Sequence, residues 1–244
     1  MRAARKGNWM LCRIAELLVE VPEAYGMGAR CTEYACQEAS EPDFVIKSEA
    51  YNKDNWPGLS ENDVAYMDSG VMFYVNLLQR NGMMLHASAV EMDGKAYLFS
   101  GQCGAGKSTH TRLWQSTFGD KAQVFNDDKP ALRYMDGRWY AYGTPWSGKD
   151  GINQNKKVPL AGICFLVQSK QNKIRRLSAP EAVTKIVEQT LFRFRSPKNL
   201  ERMLTQMDSL VRKIPVFELE NRPEPEAAWL SYETMRRAAE EEVF

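Results

Sequence analysis

A chain of 244 residues, 44% of them hydrophobic, holds enough apolar material for one large domain or a domain with a modest appendage. Its 32 basic residues nearly balance its 31 acidic ones, which excludes a general electrostatic field for nucleic acid or a membrane surface. No stretch approaches the roughly 20 apolar residues of a spanning helix, and the basic cluster Arg2, Arg5 and Lys6 precedes no sustained apolar run, so neither a membrane segment nor a targeting signal is expected.

In chain order, residues 9–21 carry a mixed apolar spacing that fits either a strand or a short helix. Residues 31–47 suit strands better than a long helix, and 52–62, with Trp56-Pro57-Gly58, read as a loop. From Asp63 to Gln79 the apolar positions Val64, Met67, Val71, Phe73, Tyr74, Leu77 and Leu78 predict a buried helix, with Gly82 in the C′ role. Met83–Val90 and Ala96–Ser100 form two strands joined at Asp93-Gly94, a hairpin signal. A helix-competent stretch follows from Lys107 to Phe118. Ala122–Phe125, Ala131–Met135 and Trp139–Tyr142 are further strands, the last two joined at Asp136-Gly137. Residues 143–158 form a polar, Gly-rich loop, and Leu160–Val167 is an almost wholly apolar, buried strand. Helices over Pro180–Gln189 and Lys198–Val211, a strand over Pro215–Leu219 and a helix over Glu224–Glu241 complete the chain. This many hairpins predict an α/β (α+β) fold with a mixed, partly antiparallel sheet.

Residues 101–108 are the chemically informative stretch. Gly101-Gln102-Cys103-Gly104-Ala105-Gly106-Lys107-Ser108 matches the G-x-x-x-x-G-K-[ST] phosphate loop in full, and it lies between a strand and a helix as that mechanism requires. Backbone N–H groups at Gly104, Ala105 and Gly106 can converge on a phosphate, and the positive helix terminus adds to their field. Lys107 reaches the outer phosphates, Ser108 offers a hydroxyl to Mg²⁺, and Thr109 closes the nucleotide-binding set. A nucleoside triphosphate or diphosphate is the expected ligand. Asp127-Asp128, at a strand end about twenty residues beyond Lys107, supplies two carboxylates for holding Mg²⁺ and accepting a proton from an attacking hydroxyl. His86 sits in the strand ahead of the hairpin and can orient that acid pair. His110 is assigned to surface or packing. Lys149, in the Gly143–Lys149 loop, is a candidate second cation for phosphate or substrate. The cysteines at 12, 31, 36, 103 and 164 are odd in number and lack a C-x-x-C pair, which reads as reduced thiols without zinc, in a cytoplasmic protein.

His86-Ala-Ser-Ala-Val, a short hairpin, the Gly101–Ser108 loop and Asp127-Asp128, in that order, resemble the C-terminal catalytic domain of HPr kinase/phosphorylase, which is related to the phosphoenolpyruvate carboxykinase core. The resemblance covers about residues 83–135. It implies a largely antiparallel P-loop catalytic domain over 81–244; the family's separate N-terminal domain is not recognisable in residues 1–80, which are expected as an accessory region packed on the core. It further implies that Asp127 acts as base or acid toward a serine hydroxyl, that His86 assists it, and that Ser108 and Asp128 hold the metal. This chain has Cys103 where the family usually has serine, and the Gly143–Lys149 loop replaces the family's segment for phosphorolysis and carrier docking. The expected activity is ATP- and Mg²⁺-dependent phosphoryl transfer to a hydroxyl, serine of a peptide or protein first. No nucleic-acid or membrane partner is expected, and homo-oligomerisation is left open. The competing readings are a nucleotide-binding regulatory module without transfer activity and a small-molecule kinase.

Overall fold

The structure, a computed structural model, describes residues 8–47, 57–148, 150–190 and 196–241. Its first unit is a hairpin, β1 (Trp9–Ile14) against β2 (Leu17–Pro22). Sequence alone predicts a single element here. The turn is Ala15-Glu16, both at left-handed φ (49° and 62°), where Asn-Gly would normally stand. Tertiary bonds hold this unfavourable turn: Arg133 Nη1 donates to the Ala15 carbonyl at 2.6 Å, and Tyr142 and Lys157 both reach the Glu16 carboxylate. Residues 31–47, expected as strands, instead hold the end of the short helix α1 (Met27–Cys31), a 3-10 turn and the two-residue β3 (Phe44–Val45) parallel to β2. Of the loop expected at 52–62, residues 52–56 lie outside the described residues, 57–60 are turn or irregular, and a helix has begun by Glu61.

Helix α2 (Glu61–Leu78) starts at Ser60, whose hydroxyl accepts the Asp63 N–H at 3.2 Å. It ends through Asn81, at φ 56°, and not through Gly82. Gly82 is in a strand, where a Cβ would lie 2.7 Å from the Leu77 side chain; close packing, not turn geometry, requires glycine there.

Among the described residues, nine strands build one mixed, largely antiparallel sheet in an α+β fold. In chain order they are β4 (Gly82–Met84), β5 (Ala87–Met92), β6 (Lys95–Ser100), β7 (Gln123–Asp128), β8 (Ala131–Met135), β9 (Arg138–Tyr142), β10 (Lys157–Gln168), β11 (Lys173–Arg176) and β12 (Val216–Asn221). The long strand β10 joins two leaves. Its first residues pair antiparallel with β9, which leads through β8 to β4. From Leu160 onward it pairs parallel with β6, and from Ile163 also with β12. Beyond β6 come β5 and then β7, each antiparallel to its neighbour. The apolar run expected as one strand over 83–90 is therefore two, broken at Leu85-His86 where the chain crosses from one leaf to the other. Both halves are apolar, so the hydrophobic pattern carries no mark of the break.

Period-2 alternation places the core. Leu98, Ile163 and Phe165 face α4 (Ala179–Glu188) and α5 (Pro197–Lys213), in a cluster with Ile186, Met203, Met207 and Leu210. Tyr97, Phe99, Cys164 and Leu166 face the other way, toward Trp114 of α3 (Lys107–Phe118) and Met235 of α6 (Pro225–Glu241). A third cluster joins the N-terminal hairpin and α2 to Met84, Ala131, Tyr142 and Trp146. Among the described residues, no helix is long and apolar enough to cross a membrane.

The Gly143–Gly148 segment has a packing reason for its first residue. A Cβ on Gly143 would lie 1.9 Å from the Gln154 carbonyl oxygen, while the Gln154 N–H is fixed on the Phe125 carbonyl at 2.8 Å. Two backbone segments approach here more closely than any side chain allows. Gly143→Ala is expected to lower unfolding free energy by about 3 kcal/mol or more, as severe overpacking does. Urea denaturation with an unchanged m-value measures it, and a loss below about 1 kcal/mol would show that the segment yields.

Candidate functional site

The phosphate loop leaves β6 at Gly101 and enters α3 at Lys107. Gly101, Gly104 and Gly106 adopt φ of 145°, 81° and 96°. At Gly101 a Cβ would stand 3.0 Å from both Ala105 Cβ and the Leu166 carbonyl oxygen, so glycine is required by contact as well as by conformation. Ala105 N–H bonds the Gln102 carbonyl at 3.0 Å, and Gln168 Nε2 donates to the Gly104 carbonyl at 2.9 Å. Gln102, Cys103 and Thr109 are exposed, and Ser108 is half-buried in the first turn of α3. Lys107 Nζ donates to the Gly101 carbonyl at 3.1 Å and the Gln102 carbonyl at 3.4 Å. Burial lowers its pKa, while Asp128, Cys103 and Asp127 act in the opposite direction. Lysine and acid pair therefore share one electrostatic neighbourhood. Beside the loop, a cleft of about 510 Å³ is bounded by Gly101–Ala105, the end of β10 and Lys185, Glu188 and Gln189 of the α4 end.

The acids arrive by topology. Strand β5 lies between β6 and β7 and runs against both, so β6 and β7 end at the same edge of the sheet. Ala87 of β5 pairs with Ser100 on one side and Asp128 on the other, and Ser88 pairs with Phe99 and Asp127. Asp127 shares the sheet face of Ser88, whose hydroxyl lies 3.0 Å from Thr111 of α3. Asp128 takes the opposite face, at φ 116°.

The two carboxylates have different surroundings. Asp128 Oδ1 is 2.8 Å from His86 Nε2, and Oδ2 is 2.5 Å from Lys129 Nζ. Burial alone would raise its pKa, but the His86 hydrogen bond and the Lys129 ammonium together hold it well below the usual carboxylate range. Asp127 is 7% exposed, and among the described residues its carboxylate has no hydrogen-bond or ion-pair partner. The expected pairing of His86 with Asp127 is thus replaced by pairing with Asp128. His86 sits at the break between β4 and β5, fixed by its N–H to the Gln189 carbonyl at 2.7 Å and by its carbonyl to Ser100 Oγ at 2.8 Å. Lys149 lies outside the described residues.

His110 packs, as its assignment to surface or packing allowed. It is buried with Nε2 3.1 Å from Ser231 Oγ of α6, and burial pushes its pKa down to about 3, which keeps it neutral. Sequence reasoning missed Lys129. Its signal, a cation directly after the acid pair, was present but common. Thr144 and Tyr74, which hold the Lys129 carbonyl at 2.8 and 2.5 Å, gave no signal at all.

Among the described residues no group of three or more His, Cys, Asp or Glu side chains could hold a metal ion. The oxygen donors near the loop are the Ser108 hydroxyl and the two aspartates, with the Cys103 thiol and the His86 imidazole beside them. A hard cation that keeps part of its water and binds substrate phosphate fits the oxygens of this set.

A family model described as SynChlorMet cassette protein ScmC matches residues 60–222, more than half of the chain, and the chain belongs to that family. No curated protein matches it. Among solved structures, the chain is similar to the Hpr(Ser) kinase/phosphatase from Coxiella burnetii, with 14% identity, covering 63% of this chain and 88% of that one at a TM-score of 0.36.

The depressed pKa of Asp128 makes its contribution to stability pH-dependent with a definite sign. It is present in full above the unfolded-state value near 4 and is lost as pH falls toward the lower folded-state value. Asp128→Asn, which strands Lys129 and His86, is expected to cost about 3 kcal/mol at pH 7. The gap from the parent protein should narrow in denaturation curves taken below about pH 4. An equal gap at pH 7 and pH 3 would show that Asp128 is not held as an anion.

Proposed function

We propose that this ScmC-family protein is an ATP-dependent kinase that passes a phosphoryl group to a hydroxyl, most simply a serine of a peptide or protein. The observation that carries the reading is the contrast between two adjacent acids at the edge where the phosphate loop begins. Asp128 is bonded to both His86 and Lys129, while the Asp127 carboxylate has no hydrogen-bond or ion-pair partner among the described residues. Of two adjacent carboxylates, one bonded on both oxygens and one left open, the open one is the group able to take a proton, and such unequal pairs mark sites where chemistry needs them.

When bound, MgATP supplies the γ-phosphoryl group and a diphosphate leaving group. Lys107 and the loop N–H groups stabilise the charge that spreads over the transferring group. Ser108, with Asp128 as a fixed anion, holds the cation. Asp127 accepts the proton of the acceptor hydroxyl as its oxygen bonds to phosphorus, and ADP departs. His86 acts through Asp128, not through Asp127. The cleft beside the loop gives the rest of the nucleotide room. A module that only sensed nucleotide would have no use for a second carboxylate left without a partner among the described residues at this position.

Asp127→Asn is expected to lower transfer from labelled ATP to serine peptides by about 10²–10⁴-fold, the range for loss of a general base. Nucleotide affinity, read by calorimetry, should stay within about twofold of the parent's, since the substitution is isosteric and leaves the loop intact. Transfer that persists at the parent rate removes Asp127 from the base role.

A further inference from the structure

The geometry points to Tyr66, on helix α2, as a positioning residue that fixes Lys129 and the Gly148 backbone around Asp128. This inference rests on the kinase reading for its catalytic consequence, though not for its geometry. Tyr66 Oη accepts two hydrogen bonds, from Lys129 Nζ at 2.9 Å and from the Gly148 N–H at 3.1 Å. The same ammonium lies 4.7 Å from the Tyr66 ring centroid and 2.5 Å from Asp128 Oδ2. One hydroxyl therefore ties together the cation that faces the acid and the loop that lies over it.

Each partner depends on this tie in its own way. The Lys129 backbone is already fixed, because Tyr74 Oη and Thr144 Oγ1 both donate to its carbonyl. What remains free is the direction of its long side chain, and the Tyr66 hydroxyl and ring face set it toward Asp128. Gly148, at φ 62°, brings its backbone so near the acid that a Cβ would lie 3.0 Å from Asp128 Cβ. Its N–H needs an acceptor at that point, and Tyr66 provides one from a different part of the fold.

The rest of the helix face reinforces the arrangement. Trp146 Nε1 donates to Ser69 Oγ at 3.0 Å, and its indole stacks on Phe73 with ring centroids 4.6 Å apart. Gly70 gives the indole space, since a Cβ there would come within 3.0 Å of Trp146. Residues 66, 69, 70, 73 and 74 lie on one side of α2 at helical spacing. That side is the wall on which the Gly143–Gly148 segment is mounted.

Tyr66→Phe tests the hydroxyl and keeps the ring. In the full-length protein it is expected to lower kcat for phosphoryl transfer by about 10–100-fold, as loss of an outer-shell partner does, with KM for ATP within about twofold. Amide hydrogen exchange at Gly148 should accelerate by about fivefold or more, the loss of one hydrogen bond, while exchange in β6 and α3 stays unchanged. Lys129→Met should lower kcat at least as much as Tyr66→Phe, and Lys129→Arg, which keeps charge and donors, should recover part of it. An unchanged kcat in both Tyr66→Phe and Lys129→Met, or an unchanged Gly148 exchange rate in Tyr66→Phe, overturns the proposal. If the parent protein transfers phosphate to no hydroxyl, the kinase reading fails by itself. The Gly148 exchange contrast, measured without nucleotide or acceptor, then still decides the tie.

Discussion

Strand β5 runs against both of its neighbours, and this pairing decides where chemistry can take place. Because it is antiparallel to β6 and to β7, those two strands run in the same direction and finish at one edge of the sheet. The phosphate loop grows from one of them and the acid pair from the other, separated by the width of a single strand. Had β6 and β7, which the α3 crossover joins, paired directly with each other, no strand start would lie between loop and acids. With β5 in place, its own beginning falls at the same edge, and His86 is the residue just before it. Three chemistry-bearing segments from separate parts of the sequence are thus brought together by backbone pairing before any side chain is considered.

Once they are together, electrostatics has to make the arrangement tolerable. Taking two adjacent carboxylates out of water is unfavourable, and like charges so close oppose each other's ionisation. The fold resolves this unequally. Asp128 receives both His86 and Lys129 and is held as an anion, even at φ 116°, a conformation that aspartate adopts only under outside constraint. Asp127 receives none among the described residues and faces the side of the phosphate loop helix. Unequal environments are how two like groups acquire different roles, since a saturated carboxylate makes a stable anchor and a poor base, and an unpaired one the reverse.

Local sequence carried the elements whose causes are local. The turns at Asp93-Gly94 and Asp136-Gly137 fall where their left-handed residues demand, and α3 spans Lys107–Phe118 as its spacing indicates. The phosphate loop was legible because its glycines answer to backbone conformation within eight residues. Features with distant causes were not. The Ala15-Glu16 turn depends on Arg133, Tyr142 and Lys157, over a hundred positions away, so no turn signal marks it. The break at His86 comes from a change of leaf that leaves both halves equally apolar. Gly82 and Gly143 are conspicuous as glycines, but the atoms that forbid a Cβ belong to other segments. Proximity of His86 to the acid pair was inferable from strand order, whereas the choice of Asp128 over Asp127 required the register.

The same division explains why the segment over the site has the composition it has. Between β9 and β10 the chain must pass close to Phe125, Gln154 and Asp128 in turn, and at each approach a backbone replaces a side chain. Glycine allows that closeness and weakens the segment's own preference for any one shape. Rigidity is therefore supplied from outside. Thr144 is tied to the Lys129 carbonyl and to Asn126, Trp146 is stacked against α2, and Gly148 is bonded to Tyr66. A glycine-containing segment fastened at three points can hold a precise position beside Asp128 and still contain too few internal contacts to be stable alone. Helix α2 then positions this segment as well as filling the core: removing its polar contacts would leave the strands folded and the segment without a fixed place to stand.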